Sequence, residues 1–474
     1  MTTDIGEDLH RTHTIESVAT LPSAPARSLD SNVIVESKIA SHHSSKHDQE
    51  YIENALESNE KMDQKTVNEE DIIPDGGLRA WLVVLGAFFT QFTAFGTASS
   101  WGKRINQENV FSSVPNAQLQ LSFAGTLMEV CVDMMGPLVQ ILSNKFGYRA
   151  VLITGALLMV LGLEMAGFTS QIWHLYLTQG VLFGTGASFM FVTAMNAAPQ
   201  WFDKRRGLAL GLISSGSGAG GLILPFILTP LNNTIGIGWS YRVLGFIILG
   251  CAIVSCVCIK MRFKSSKQPT RKLKELFNFE VLKDLNYCLW VLGSMIGLMG
   301  FFVPYFFLPS HATYLGISSE NSTVVVAVMS ASNFLGRISI GFIADRFGRL
   351  NTDIVCLLIT GLSAVTIWMY AYTFEVLLAF AVVFGFFCAS YFTLLSPITA
   401  TILGMERYPT GLSILLLSNC VSVFGPSIAS AVESTVDAEP YLAYKVFTGV
   451  VYLLGGLILC VLKVRMTKSV FANI

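Results

Sequence analysis

Residues 341–349 read GFIADRFGR, and this stretch separates two apolar runs that are each long enough to cross a bilayer. One run begins near Glu320 and the other near Thr352. A short connection holding an acid, two glycines and two arginines is typical of a tight turn at a membrane face. The stretch therefore predicts two membrane-spanning helices joined by a structured loop.

Each polar position in this connection suits a structural role. Gly341 permits close helix contact, Gly348 permits the tight turn, and Asp345 can pair with basic groups or cap a neighbouring helix. Arginines at this position anchor the helix ends at the membrane face. We interpret the group as structural and gating rather than substrate-binding: Gly341, Asp345, Arg346, Gly348 and Arg349.

A weaker copy of the stretch occurs earlier in the chain. Residues 143–149 read SNKFGYR, again between two apolar runs. The copy keeps a lysine, the glycine and the final arginine, but Asn144 stands where the acid would be. A strong and an eroded copy at matching places indicate an internal duplication.

Composition extends this pattern to the whole chain. Of 474 residues, 52% are hydrophobic and 13% charged, whereas soluble domains carry about 25% charged residues. Six apolar runs precede a charged segment and six follow it, which predicts an all-α membrane protein of twelve transmembrane helices in two pseudo-symmetric six-helix halves. The runs begin near Arg79, Gln118, Ala150, Trp173, Gly207, Trp239, Tyr287, Glu320, Thr352, Phe374, Thr410 and Tyr441. The predicted parts are an N-terminal tail (1–75), a first half (76–260), a central loop (261–284), a second half (285–465) and a C-terminal tail (466–474).

Basic residues predict the orientation. They follow the even-numbered helices and fill the central loop, so the positive-inside rule places both termini in the cytoplasm. The plasma membrane is the default location of such a multi-pass protein. Two glycosylation sequons fall on the opposite side: Asn232 in the predicted loop between helices 5 and 6, and Asn321 near the start of helix 8.

The sequence offers little for catalysis. It contains no recognisable catalytic triad, metal-ligand cluster or nucleotide-binding motif, so we expect no enzyme, cofactor, metal or nucleic-acid partner. The glycine-rich run from Gly211 to Gly221 lacks the Lys-Ser/Thr of a phosphate loop. We predict that these glycines bring helix 5 close to its neighbours.

Four segments carry a family resemblance. GFIADRFGR resembles the signature of the major facilitator superfamily. PDGGLRAW (74–81), WFDKRRGLALGL (201–212) and NFLGR (333–337) are similar to segments of its monocarboxylate transporter family, in the form of the fungal branch. The resemblance covers nearly everything after Pro74, and it assigns a gating or structural role to Asp75, Gly76, Gly77, Trp81, Arg205 and Arg206.

The family resemblance implies proton-linked transport of small carboxylates by alternating access, with Arg337 binding the carboxylate. An intramembrane charge needs a functional or structural reason, and a guanidinium can bind a carboxylate through two hydrogen bonds. The alternative is a structural ion pair with an acid on another helix. Better-known members have an acid one turn before this arginine and a lysine in helix 1. Here Asn333 replaces the acid, and helix 1 offers only Lys103 beyond its end, so the family's proton mechanism does not transfer.

Other residues are candidates for the two missing roles. Glu129 and Asp133 lie one turn apart in helix 2 and are candidates for proton coupling, although pairing with Lys or Arg is the alternative. Aromatic side chains of helices 7 and 10 and two asparagines at membrane depth are candidates for the substrate cavity. With Arg337 and Asn333, the predicted substrate-binding residues are Phe392, Tyr391, Asn196 and Asn419.

Three functions fit these features. The leading hypothesis is a secondary active transporter of a small organic anion in the lipid bilayer, with protons as the candidate coupling ion. The alternative is an exporter of a secondary metabolite, or a carrier of a vitamin such as riboflavin. The third is a non-transporting nutrient sensor that signals through the N-terminal tail.

Overall fold

A computed structural model of the chain describes residues 75–100, 117–262, 279–436 and 439–467. These residues belong to one compact unit, Ile73–Ile474. The predicted tails, apart from their residues nearest the helices, most of the predicted central loop and Lys103 lie outside the described residues.

The described residues form twelve helical spans, which we number α1 to α12 in chain order. The first half contains α1 (Leu78–Ser100), α2 (Ala117–Met134 and Gly136–Phe146), α3 (Tyr148–Ala166), α4 (Ile172–Leu175, the π-helical Tyr176–Phe183, and Gly184–Ala197), α5 (Arg206–Ile235) and α6 (Ile237–Cys258). The second half contains α7 (Leu285–Met299 and Phe302–Tyr314), α8 (Ser319–Phe347), α9 (Arg349–Ser363 and the π-helical Ala364–Trp368), α10 (Phe374–Cys388 and 390–403), α11 (405–422 and Gly425–Thr435) and α12 (Leu442–Thr467). The start of α1 and the end of α12 lie at the same side of the bundle, which we call the terminal side.

Hydropathy and backbone geometry give the same number of spans in the described residues. Ten stretches are long and apolar enough to cross a membrane, and the two segments of α2, bent by 47°, qualify together as one more. One of the ten, Phe374–Thr435, is 62 residues long, and Gly404 at φ 71° divides it into α10 and α11. Ten, one and one make twelve, and the predicted all-helical membrane fold is confirmed.

Glycines set the spacing of α5 between its neighbours. A Cβ at Gly216 would lie 2.2 Å from the Phe88 carbonyl oxygen of α1. A Cβ at Gly211 would lie 2.5 Å from the Arg337 carbonyl oxygen of α8. Any side chain at either position would force the helices apart, so the prediction that these glycines serve close packing is confirmed.

The predicted loop position of Asn232 is wrong. Helix α5 continues to Ile235 and α6 begins at Ile237, because Gly236 at φ +81° turns the chain in a single residue. Asn232 is therefore helical and only 8% exposed. Asn321 is exposed in the first turn of α8, where its backbone N–H bonds to the capping Ser318 hydroxyl.

Candidate functional site

Arg337 lies at the centre of the bundle and is 5% exposed. Its Nε donates a hydrogen bond to Oδ1 of Asn333 at 2.8 Å, and Nη1 donates to the backbone carbonyl of Ser214 at 3.1 Å. Its guanidinium carbon is 4.9 Å from the centroid of the Phe392 ring. The remaining nitrogen, Nη2, has no hydrogen bond in the described part of the chain. These contacts hold the guanidinium in place and leave one donor nitrogen without a partner.

No acid pairs with Arg337 within the described residues. The ion pairs found there join Arg206 to Asp203, Lys283 to Glu280, and Arg349 to Asp345. The structural ion pair that we considered for Arg337 is therefore not observed in this part of the chain. A buried cation without a counterion is costly, and the ring of Phe392 offsets only part of that cost. An anionic ligand would supply the missing negative charge.

The Phe392 ring touches both halves of the molecule. Its centroid lies 6.3 Å from that of Phe95 in α1 and 5.0 Å from that of Phe301 in α7. It also lies 5.4 Å from Tyr391, whose hydroxyl donates to Oδ1 of Asn419 at 2.9 Å. Any rocking of the two halves must move this ring relative to at least one of them.

The predicted substrate-binding residues divide into two groups. Arg337, Asn333 and Phe392 are in direct contact, and Tyr391 and Asn419 adjoin them through the Phe392 ring. Asn196 lies elsewhere, in a contact between α4 and α2 where its Nδ2 donates to the Gln140 side chain at 3.3 Å. The Oδ1 atom of Asn196 is buried without a hydrogen-bond partner among the described residues, so its part in substrate binding stays a prediction.

Glu129 and Asp133 lie one turn apart in α2, on the side that meets α11. The Cys420 thiol of α11 contacts the carbonyl oxygen of Val130 at 3.8 Å, and Asp133 is 8% exposed. Asp133 also interacts electrostatically with Tyr391. Neither acid has a hydrogen bond or an ion pair in the described residues, so the pairing with Lys or Arg that we considered is not observed there.

Asp345 joins the two halves at the terminal side. Its two carboxylate oxygens accept hydrogen bonds from the backbone N–H groups of Gly207 and Leu208, at 2.7 and 2.8 Å. These are free donors of the first turn of α5, where the helix dipole also favours a negative charge. A Cβ at Gly341 would lie 2.3 Å from the Gly207 carbonyl oxygen, so the two backbones touch. We call this arrangement the α5–α8 contact.

Charged side chains around the α5–α8 contact add further bonds to it. Arg349 Nη2 donates to the Asp203 carbonyl at 2.9 Å and lies 3.8 Å from the Asp345 carboxylate. Arg206 donates to the Phe202 carbonyl at 3.1 Å. Two other predicted gating residues are exposed: Arg205, just before α5, and Arg346, whose guanidinium stacks on a ring of its own helix.

Asp75 binds the turn that leads into α5. Its Oδ1 accepts from the backbone N–H groups of Asp203 and Lys204, at 2.6 and 2.7 Å. Gly76 and Gly77 follow with φ of +154° and +94°, and Trp81 packs edge-on against Phe202 at 5.2 Å. The segment before α1 is thereby fixed to the segment before α5.

Among the described residues, which leave out the connection between α1 and α2, contacts between the halves concentrate at the terminal side and at mid-depth. Besides the α5–α8 contact, the Tyr408 hydroxyl of α11 donates to the Met195 carbonyl of α4 at 3.2 Å. At the opposite side, the second segments of α7 and α11 pack chiefly on helices of their own half. The structure is therefore a terminal-side-closed state of a two-half bundle.

Sequence reasoning missed two groups near Arg337 and one buried acid. The Ser214 carbonyl accepts a hydrogen bond from Arg337. The Cys388 thiol accepts one from Nδ2 of Asn333 at 3.4 Å. Asp353 of α9 is the buried acid, 1% exposed although it closely follows a charged loop. The spacing of four residues between Arg349 and Asp353 could have indicated this burial, because it places Asp353 one turn inside the helix.

Two helical halves, one end closed by contacts between them and a buried cation at their boundary are features of a membrane transporter. The Major Facilitator Superfamily profile matches residues 80–352 and 290–472. The chain belongs to the major facilitator superfamily, a family of membrane transporters.

Curated relatives are fungal transporters. The MFS transporter asaE of Aspergillus flavus is 32% identical over 402 residues, covering 82% of this chain and 87% of that protein. The Fujikurins efflux protein of Gibberella fujikuroi is 28% identical over 391 residues, covering 81% of this chain and 83% of that protein. The Agnestins efflux protein AgnL12 of Paecilomyces divaricatus is 28% identical over 402 residues, covering 83% and 90%.

Solved structures agree on the fold. The E. coli fucose:proton symporter has a TM-score of 0.62 at 14% identity, covering 80% of this chain and 98% of that one. A XylE structure has a TM-score of 0.58 at 13% identity, covering 83% and 95%. At these identities the likeness shows the fold alone.

Proposed function

We propose that this chain is a secondary active transporter that exports a small organic anion by alternating access. The observation that carries the proposal is Arg337, a buried guanidinium between the two halves with no acid paired to it in the described residues. Relatives named as efflux proteins of fungal metabolites support export as the direction. A cargo that combines a carboxylate with an apolar body matches an arginine covered by the Phe392 ring, which packs on Phe301.

Transport requires the terminal side to open. The α5–α8 contact and the bonds of Tyr408 then break, and the halves rock about the Phe392 ring. A carboxylate stays bound to Nη2 of Arg337 while access to it switches from one side of the bundle to the other. With protons as the coupling ion, Glu129 and Asp133 are candidate carriers, since they line the meeting of α2 and α11 without partners in the described residues.

The basic residues that follow the even-numbered helices lie at the terminal side. By the positive-inside rule this is the cytoplasmic side, and we take the plasma membrane as the location. The closed state would then be the one that faces away from the cytoplasm. An exporter in this state must open the α5–α8 contact before it can load cargo.

Uptake of a small monocarboxylate is the second candidate. It is favoured by residues 333–337, NFLGR, which contain Arg337 and resemble the substrate-site segment of the monocarboxylate transporter family. Both candidates need the arginine and differ in direction and in cargo size.

Transport by Arg337 variants tests the proposal. Cells that lack their own carboxylate exporters would be preloaded with a panel of labelled aromatic and aliphatic carboxylates, and initial efflux and uptake rates would be measured. We expect Arg337→Gln to lower the rate at least about tenfold, because charge-assisted hydrogen bonds contribute roughly 1.5–3 kcal/mol. Arg337→Lys keeps the charge and should retain part of the rate.

Arg465→Gln is the matched control, since this arginine is exposed at the end of α12. Surface expression is measured for every variant. Full transport by a well-expressed Arg337→Gln would refute the anion site. Uptake without efflux would favour the second candidate.

A further inference from the structure

A second polar site lies inside the C-terminal half, behind α10. A cavity of about 10 Å³, room for roughly one water, lies among α7, α9, α10 and α12. We call it the α9 cavity; its lining residues are Ser294, Gly297, Leu298, Asp353, Leu357, Cys388, Tyr391 and Tyr452. Asp353 supplies its carboxyl group and is 1% exposed.

Polar atoms in and beside this cavity are unsatisfied. Among the described residues, neither carboxylate oxygen of Asp353 has a hydrogen-bond partner, and the Tyr452 hydroxyl has none either. The Ser390 hydroxyl lies next to the carboxyl, but without hydrogen-bond geometry. Buried polar groups are almost always paired, and a small polar cavity beside several unpaired groups is a site for water or an exchangeable ion.

The groups facing Asp353 decide which form of the acid fits. They are Cys356 on its own helix, Cys388 and Tyr391 on α10, and Tyr452 on α12; α7 contributes the Ser294 hydroxyl. None of these groups carries a positive charge. An ionised carboxylate would therefore lack a counterion, whereas a neutral carboxylic acid is far cheaper to bury and can donate a hydrogen bond to the water.

We propose that Asp353 is a proton-binding site of the transport cycle, with the α9 cavity holding the water through which the proton exchanges. The carboxylate takes a proton from a hydronium ion and leaves a water molecule; release reverses the step. As a step of transport the inference rests on the proposed function. The coupling proton would then have a binding group in α9, in addition to the candidate acids of α2.

The α9 cavity and the arginine share one wall. Cys388 lines the cavity, and its thiol accepts a hydrogen bond from Nδ2 of Asn333. The Oδ1 atom of the same asparagine accepts a hydrogen bond from Arg337. Tyr391 lines the cavity and packs against Phe392, the ring over Arg337. A movement of α10 that admits water to Asp353 therefore also moves the ring that covers the guanidinium.

The first experiment needs no cargo. Infrared spectra of the purified full-length chain at neutral pH would be recorded for wild type, Asp353→Asn, and Glu129→Gln. We expect wild type to show a protonated-carboxyl band that loses one component in Asp353→Asn, while that component is retained in Glu129→Gln. An unchanged band in Asp353→Asn would overturn the proposal, because Asp353 would then be ionised or not the group observed.

The second experiment tests coupling. Vesicles containing the protein and a pH-sensitive dye would receive a benzoate gradient, and proton movement would be measured beside benzoate counterflow. We expect Asp353→Asn to lose at least tenfold in proton movement while keeping counterflow, and Asp353→Glu to recover part of it. Proton movement that persists in Asp353→Asn but vanishes in Glu129→Gln would overturn the proposal and assign the proton to α2.

The two experiments separate the two proposals. If wild type moves no benzoate while the infrared band depends on Asp353, the choice of cargo fails and the proton site stands. If benzoate moves and the band does not depend on Asp353, the carrier stands and the proton site fails.

Discussion

The loop between α2 and α3 and the loop between α8 and α9 have the same backbone but different contacts. Gly147 has φ 84° and ψ 151°, and Gly348 has φ 91° and ψ 138°, so the two turns nearly coincide in conformation. In the second loop Asp345 binds the first turn of α5 across the boundary between the halves. In the first loop Asn144 is exposed and makes no such bond.

The basic residues of the two loops differ in the same way. Arg349 donates to the Asp203 carbonyl of the other half, whereas Arg149 donates to its own neighbour Tyr148. The glycine in each loop thus permits the turn, whereas the contact between the halves depends on the acid, Asp345. Both loops keep the turn, but among the described residues only the second of the two loops bonds to the other half.

The largest effect is expected from Gly341→Ala. The new Cβ would lie 2.3 Å from the Gly207 carbonyl oxygen, so α5 and α8 must separate, at a cost of about 1–3 kcal/mol. We expect a clear fall in the thermal unfolding midpoint of the purified protein. Gly250→Ala in α6 is the control, because nothing lies within 4 Å of its Cβ position. Equal midpoints for the two variants would show that the backbones do not touch.

Asp345→Ala should rank second. It removes two hydrogen bonds to the first turn of α5 and a charge that complements the helix dipole, about 1–2 kcal/mol together. Asn144→Ala, the matched change in the other loop, should stay within about 0.5 kcal/mol. Thermal unfolding of both variants measures the difference, and equal losses would contradict the division of roles between the loops.

Asp75→Ala should have a smaller effect, about 1 kcal/mol, since it removes one capping oxygen from the turn before α5. Asp75→Asn keeps an accepting oxygen in the same place and should recover most of the stability. The same unfolding measurement applies. A loss in Asp75→Asn as large as in Asp75→Ala would show that the charge matters rather than the hydrogen bonds.

Asn144→Asp should have the smallest effect, within about 0.5 kcal/mol. Asn144 is exposed, so a charge placed there remains in water and is screened. Unfolding midpoints measured at low and high salt check this. A salt-sensitive gain above 1 kcal/mol would show that the eroded loop can still bind the other half once its acid is restored.

Much of the fold could be predicted from sequence because a bilayer demands long apolar runs. The limits of single helices were harder. Asn232 was assigned to a loop because its segment is polar, yet a helix that ends at one glycine needs no loop. The division at Gly404 likewise depends on one left-handed residue within a continuous helical stretch.

The site was partly predictable. Arg337 stands out because a charge in an apolar helix is costly, and Asn333 is one turn away on the same face. The tertiary contacts of this pair, with the Ser214 carbonyl and the Cys388 thiol, depend on how α5 and α10 approach α8. No local sequence pattern specifies that approach. Asp353 was missed because proximity to a charged loop suggests exposure, whereas the tilt and packing of α9 bury it.

The binding mode of Asp345 also bears on how such contacts are detected in evolution. Its carboxylate binds main-chain N–H groups, which every residue except proline supplies, so no side chain of α5 has to change in step with it. The demand on the partner helix is that positions 207 and 211 stay small enough for the backbones to touch. Pairwise covariation between the two halves would therefore leave this contact almost invisible, although it closes one end of the transporter.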